Sequence, residues 1–133
     1  MDCFTAKQRR LNALGGKILD SAIAVHRELG PGLLESAYQK AMEKELELRG
    51  IAFRSQVGIE LKYKDKSLGK GYIVDLLVEE SVIVEIKSVT MLTPIFEAQV
   101  ITYLKLFDKS LGFLINFNTE MLKEGFNRIV HKF

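Results

Sequence analysis

The segment YIVDLLVEESVIVEIKSV, residues 72–89, constrains the fold of this chain more strongly than any other stretch. Two runs rich in β-branched residues flank the turn-forming triplet EES, a pattern that predicts two antiparallel strands joined by a tight turn. Three charged residues, Asp75, Glu85 and Lys87, stand where aliphatic side chains would be expected. The hairpin is therefore either an ordinary strand pair with solvated charges or a sheet that holds charges for chemistry.

A turn centred on residues 79–81 determines which residues face each other across the predicted hairpin. It places Asp75 opposite Glu85, with Cβ atoms about 4.5–5.5 Å apart, and strand alternation puts Lys87 on the face of Glu85. The other face of the hairpin is predicted to be apolar, and it would hold Tyr72, Val74, Leu76, Val78, Val82, Val84 and Ile86.

Two carboxylates at that separation need a cation between them, or one of them must hold a proton. A hard divalent ion such as Mg²⁺ satisfies such a pair, because it binds one or two carboxylates together with waters and phosphate oxygens. A nearby ammonium can orient a water or stabilise developing negative charge. The arrangement therefore predicts metal-assisted hydrolysis of a phosphodiester.

A second E-x-K tripeptide, Glu60-Leu61-Lys62, shows how much the context of the first one matters. It lies beside a basic turn and has no acidic residue about ten positions upstream, so it indicates a solvated strand face. Four lysines surround this turn, Lys62, Lys64, Lys66 and Lys70. They could bind phosphates, or they could form a solubilising loop.

The rest of the chain predicts an α/β fold with a mixed sheet covered by helices. Residues 1–11 are polar and predict a flexible tail on a single domain of residues 1–133. Apolar periodicity and turn residues predict the order α-α-β-β-β-α-β-(β), with elements at about 12–29, 33–49, 55–64, 70–78, 82–88, 94–107, 111–117 and 126–132. The three central strands should form an antiparallel meander.

Composition excludes several classes of site. No apolar run approaches the roughly 20 residues that cross a bilayer. The single cysteine, Cys3, cannot form an internal disulfide, which favours a reducing cytoplasm and argues against a cysteine-bound zinc. The two histidines, His26 and His131, are too far apart in sequence for an imidazole metal cluster, although His26 could act as a proton shuttle if it approaches the acidic pair. A net charge of +2 is too small to indicate nucleic acid by itself.

Two further features could belong to the same site. Gln99 and Tyr103 lie one turn apart on the helix after the hairpin and face the same way, as a supporting pair or as an ordinary helix surface. Glu35 lies in the first turn of the second helix, where the helix dipole favours a carboxylate. Taken alone, Glu35 is better explained as a capping residue.

Together these pieces resemble the PD-(D/E)xK nuclease superfamily, whose pattern is a helical Glu, an Asp near a strand end, E-x-K on the next strand and Q-x-x-x-Y on the following helix. More narrowly, GPGLLESAY, YIVDLLVEESVIVEIKSV, EAQVITYLKLF and GFLINFN resemble the GxxExxR family of that superfamily, over roughly residues 12–130. The resemblance implies a restriction-endonuclease-like core. It also implies Mg²⁺- or Mn²⁺-dependent hydrolysis of nucleic-acid phosphodiesters.

The resemblance also implies a role for each matching residue. Asp75 and Glu85 would be metal ligands, with the backbone carbonyl of Ile86 as a further ligand. Glu35 would contribute to the metal site directly or through water. Lys87 would position the attacking water or stabilise charge.

Gln99 and Tyr103 would contact the substrate backbone or support the site. The chain departs from the family pattern at Tyr38, which stands in place of the eponymous arginine, and at Val74, which replaces the proline of the motif. Two functions stay open on this basis: an active nuclease, with DNA favoured over RNA, or a catalytically silent module that binds nucleic acid or a protein. The small size and modest charge suggest that a homodimer or a partner assists binding.

Overall fold

A computed structural model describes residues 3–133 of the chain. The predicted element order is confirmed: α1 Ala6–Leu29, α2 Glu35–Leu48, β1 Phe53–Tyr63, β2 Lys66–Val78, β3 Val82–Lys87, α3 Pro94–Phe107, β4 Leu111–Asn116 and β5 Phe126–Val130, with a short 3₁₀ helix at Leu122–Gly125. Helix α3 has its predicted bounds because Pro94 suits the first turn of a helix. Within the described residues, no helix is both long enough and apolar enough to cross a membrane.

The five strands form one mixed sheet in the order β1-β2-β3-β4-β5. β1, β2 and β3 form the predicted antiparallel meander, β3 and β4 are parallel, and β5 is antiparallel to β4. Parallel neighbours need a crossover connection, and α3 supplies it between β3 and β4. The carboxylate-bearing strand β3 therefore lies at the centre of the sheet.

Helices cover both faces of the sheet and create two apolar clusters. One cluster joins α1 and α2 to the sheet and includes Ile18 and Met42. The other joins α3 to the opposite face and includes Leu104. Strand β3 is buried on both sides, which explains why its sequence is apolar almost throughout.

The prediction of a flexible tail over residues 1–11 is wrong for residues 6–11, because α1 begins at Ala6. Thr5 and Gln8 form a reciprocal capping box that satisfies free N–H groups at the helix start. The Gln8 side chain also donates a hydrogen bond to the carbonyl oxygen of Phe133 at 2.7 Å, which ties the helix start to the C-terminal residue. Residues 1 and 2 lie outside the described part of the chain.

The predicted apolar face of the hairpin is wrong for Tyr72 and Val74. Leu76 packs in the cluster of α1 and α2, whereas Val74 and Tyr72 pack in the cluster of α3. The change of side occurs at Asp75, opposite Gln56, whose backbone has a left-handed φ of 52°. Side chains here do not alternate regularly between the two faces of the sheet, because the left-handed residue turns the strand. The side chains of β1 also move from one face to the other at this position.

Candidate active site

Asp75 and Glu85 lie at the point where β2 and β3 stop pairing. The ladder of the hairpin ends at Leu76 and Val84, in the register predicted from the turn. At the next level the backbone N–H of Asp75 donates to Oε1 of Glu85 at 2.8 Å, and the N–H of Ile86 donates to Oδ2 of Asp75 at 2.7 Å. Each carboxylate thus binds a backbone N–H of the opposite strand, in place of a ladder carbonyl.

Burial makes this pair costly to ionise. Glu85 is 5% exposed, and burial, followed by repulsion from Asp75, raises its pKa to about 8 against a hydrogen bond from the Asp75 N–H. Burial also raises the pKa of Asp75, opposed by the hydrogen bond from the Ile86 N–H. At neutral pH the metal-free pair therefore retains a proton, which is one of the two solutions that the sequence allowed.

Lys87 lies close enough to act on both carboxylates. Its positive charge opposes the burial-driven rise in the pKa of Asp75 and of Glu85. Its Nζ lies 4.7 Å from the centroid of the Phe96 ring on α3, and the side chain is half-buried. Lys87 forms no ion pair with any residue in the described range 3–133. The ammonium is therefore held on an aromatic ring and available to a third group.

The two helix residues that the sequence paired both lie beside Tyr72, but one is buried and the other lines a cavity. Tyr103 is buried against Tyr72, with ring centroids 5.8 Å apart, and burial followed by the charges of Glu85 and Asp75 raises its pKa to about 12. Its hydroxyl therefore stays protonated beside the carboxylates. Gln99 instead lines a neighbouring cavity with Tyr72 and the α3 surface.

Glu35 is brought to the same cavity as Asp75. The cavity has a volume of about 350 Å³ and is lined by Glu35, Ser36, Gln39, Lys40, Glu43, Gln56, Asp75 and Ile86. The charge of Glu35 contributes to raising the pKa of both Asp75 and Glu85, and no side chain caps the start of α2. Over residues 3–133, no three His, Cys, Asp or Glu side chains lie close enough together to hold a metal.

The donor set nevertheless fits a hard divalent cation. Asp75 and Glu85 supply carboxylate oxygens, and Asp75 and Ile86 both line the cavity. No residue of the described range donates a hydrogen bond to the second oxygen of Glu85, Oε2. Mg²⁺ commonly uses one or two carboxylates and completes its shell with water and phosphate oxygens, so a third acidic ligand is not required.

The sequence profile of the PD-(D/E)XK nuclease superfamily matches residues 12–129. The chain belongs to this superfamily. Its five-stranded mixed sheet flanked by helices is consistent with the restriction-endonuclease-like fold, and membership indicates a nuclease-like function. No curated protein and no solved structure matches the chain significantly.

Two glutamines that the sequence did not single out hold Asp75 in place. The side chain of Gln56 donates to Oδ1 of Asp75 at 3.3 Å, and that of Gln39 donates to the Asp75 carbonyl oxygen at 3.0 Å. Gln56 does so from a left-handed backbone conformation, which a non-glycine residue adopts at a cost. In the sequence, Gln56 stood out only as a polar residue in a strand, and Gln39 only as a polar residue in a helix.

Asn116 is the other residue that the sequence did not single out. It is 3% exposed at the end of β4, where its Oδ1 accepts from the Val89 N–H at 3.1 Å and its Nδ2 donates to the Val89 carbonyl at 3.0 Å. The neighbouring Phe117 N–H donates to the Lys87 carbonyl at 2.9 Å. Asn116 therefore holds in place the segment that follows strand β3. In the sequence, it stood out only as the single polar residue in LGFLINF.

We expect Asn116→Ala to lower the free energy of unfolding by about 2–3 kcal/mol, because the N–H groups of Val89 and Asn118 both lose the Asn116 Oδ1 as acceptor, whereas the Val89 carbonyl keeps a hydrogen bond from Asn118. Urea denaturation of wild type and variant measures this change. Asn12→Ala is the control, since Asn12 accepts only an exposed hydrogen bond from Arg128. Equal losses in the two variants would contradict the role of Asn116.

The two residues whose roles the sequence left open have structural contacts. The Tyr38 hydroxyl donates to the Gly30 carbonyl, and its ring stacks on Phe117 with centroids 4.6 Å apart. Tyr38 therefore fixes the loop before α2. His26 is buried with Nε2 at 2.8 Å from the Thr119 carbonyl and lines a cavity separate from that of the carboxylates. This placement supports the structural role of His26 over a proton shuttle.

Proposed function

We propose that the chain is a divalent-metal-dependent nuclease of the GxxExxR type that hydrolyses phosphodiester bonds, with DNA favoured over RNA. The observation that carries the proposal is the Asp75–Glu85 pair, one half-buried and one buried carboxylate, each of which accepts a hydrogen bond from a backbone N–H of the opposite strand. A purely structural sheet gains nothing from charges that burial destabilises. The single cysteine favours a reducing cytoplasm as the place of action.

In the proposed site, Asp75 and Glu85 hold Mg²⁺ or Mn²⁺, with the Ile86 carbonyl as a further ligand. Glu35, in the same cavity, acts directly or through a water. The bound ion supplies Lewis-acid polarisation of the phosphate and a lower pKa for the attacking water. Glu85 must lose its proton before it can act as a ligand, because its pKa of about 8 keeps it largely protonated at neutral pH.

Lys87 and Tyr103 act on the substrate side of the proposed site. The Lys87 ammonium is positioned over Phe96 and orients the attacking water or stabilises the charge that develops on the phosphate. Tyr103 stays protonated, because its pKa is raised to about 12, and can donate a hydrogen bond to a phosphate oxygen. Gln99 extends the contact along the neighbouring cavity, where a substrate backbone would continue.

Replacing Asp75 by Asn or Lys87 by Ala should separate metal binding from chemistry. Calorimetric titration of Mn²⁺ should show loss of binding in Asp75→Asn and a change of less than about threefold in Lys87→Ala. Cleavage of duplex and single-stranded DNA should fall by about 10²–10³-fold in Lys87→Ala, the usual size of a lost charge-stabilising group. Lys44→Ala, at an exposed position on α2, is the control and should cleave like wild type.

The same assays distinguish an active nuclease from a silent binding module. Equal Mn²⁺ binding by wild type and Asp75→Asn would remove the metal-site assignment. If wild type and both variants are equally inactive on DNA and RNA with either metal, the chain is a binding module. Sedimentation of the protein with and without DNA tests the expected homodimer.

A further inference from the structure

The β1–β2 hairpin extends far beyond the part of the sheet that supports it. Its ladder runs from Phe53 paired with Val78 to Tyr63 paired with Lys66, whereas β3 pairs with β2 only at 76–78. Residues 60–70, here called the basic ribbon, therefore form a two-stranded projection. Two register shifts, opposite Ile59–Lys62 of β1, each place one extra residue on β2 and bend the β2 strand of the ribbon.

The basic ribbon presents positive charge that the protein does not neutralise. Four lysines against Glu60 and Asp65 give residues 60–70 a formal charge of +2. All four are exposed, and none forms an ion pair with a residue of the described range: Lys62, Lys64, Lys66 and Lys70. No ion pair with the described residues stabilises these four charges. They therefore either bind an external partner or serve only solubility.

The ribbon lies next to an acidic cavity that cannot attract phosphate by itself. Glu35, Glu43 and Asp75 outnumber Lys40 among the charged groups that line the cavity. Gln56 lines the same cavity and belongs to β1, four residues before the ribbon begins. A polyanion drawn to the ribbon is therefore guided to the cavity along one continuous hairpin.

We propose that the basic ribbon is the DNA-binding arm of this chain and inserts into the major groove of a DNA duplex. The inference rests on the nucleic-acid substrate proposed above and names its form. A two-stranded ribbon fits the major groove of B-DNA, about 12 Å wide, whereas the deep and narrow major groove of A-form RNA excludes it. Gly69 leaves one strand of the ribbon without a side chain at that position, and Gly71 does the same directly after the ribbon, which keeps this part of the hairpin narrow.

The test is fluorescence anisotropy of a labelled 20-base-pair DNA duplex in EDTA, which prevents cleavage, at several salt concentrations. The ribbon variant replaces the four ribbon lysines by Ala. We expect about 10–100-fold weaker binding, and a salt slope reduced by up to about 3.6, because each of the four lost phosphate contacts contributes about 0.9 to the slope. The control variant makes the same charge change at four exposed lysines elsewhere, Lys7, Lys44, Lys105 and Lys123.

Specific loss in the ribbon variant, with tight binding kept in the control, supports the arm. Equal binding by wild type and ribbon variant, or equal losses in ribbon and control variants, would overturn it. Equally tight binding of the same sequence as duplex RNA would also overturn it. Because EDTA removes the metal, the binding test is independent of cleavage. If the protein does not cleave DNA but needs the ribbon lysines to bind it, only the nuclease proposal fails. If the protein cleaves DNA but binds it equally well without the ribbon lysines, only the proposed DNA-binding arm fails.

Discussion

Replacing Glu85 by Gln is expected to abolish metal-dependent cleavage and to stabilise the metal-free protein, two effects of opposite sign. Cleavage should fall by at least about 10³-fold, because a neutral amide cannot replace the carboxylate that balances a divalent cation. Stability should rise as pH approaches 8, because Gln keeps an oxygen to accept the Asp75 N–H and cannot acquire the buried charge that Glu85 gains when it ionises. Loss of cleavage together with a gain in stability is expected when a residue serves catalysis. Replacement of a residue that serves the fold would lower the stability instead.

The stabilisation should depend on pH in a defined direction. The pKa of Glu85 is raised from 4.5 to about 8 by burial first and by Asp75 second, so between these values the folded chain binds more protons than the unfolded chain. The free energy of unfolding of wild type therefore falls as pH rises from about 5 to about 8, by up to about 1.4 kcal/mol per pH unit. Glu85→Gln should lack this slope and exceed wild type by roughly 2–4 kcal/mol at pH 8.

Urea denaturation in EDTA at pH 5, 6.5 and 8 measures the slope, and the cleavage assay measures activity. Glu60→Gln is the matched control, because Glu60 occupies the same position in the second E-x-K tripeptide but is exposed. It should keep the wild-type slope, and its cleavage should not fall, because loss of an acidic charge from the basic ribbon does not weaken DNA binding. A Glu85→Gln variant that is destabilised at every pH would show that the carboxylate serves the fold.

The hairpin could be predicted because its constraints are local. A turn position and a period of two residues fix which residues face each other, so the pairing of Leu76 with Val84, one position before the two carboxylates, follows from the sequence. Pro94 fixes the start of α3 for the same reason. The start of α1 was also readable, since Thr5 and Gln8 have the spacing of a capping box, and the polar composition of the first residues concealed it.

The rest of the candidate site depends on contacts between residues distant in sequence. Nothing local predicts that Gln56 adopts a left-handed backbone or that both strands change sides at Asp75. Gln39 bonds to Asp75 across 36 positions, and Asn116 bonds to Val89 across 27. A pattern can identify which groups carry charge, but it cannot identify the neutral amides that position them.

Gly125→Ala is expected to cause the largest loss of stability of any small substitution outside the site. A Cβ at this position would overlap the backbone carbonyl oxygen of Asn116 and lie 3.1 Å from Cγ2 of Thr119. Backbone cannot rotate aside as a flexible side chain can, so the 3₁₀ helix or the end of β4 must move. We expect the free energy of unfolding to fall by more than about 3 kcal/mol, measured by thermal and urea denaturation.

Gly16→Ala provides the matched control, because Gly16 lies inside α1 with nothing within 4 Å of the added methyl group. That variant should gain about 0.5–1 kcal/mol, since alanine costs less conformational entropy than glycine in a helix. Shifts of the same sign in both variants would contradict the close approach at Asn116. Because Asn116 also holds the chain that leaves Lys87, Gly125→Ala should reduce cleavage even in its folded fraction, whereas Gly16→Ala should not.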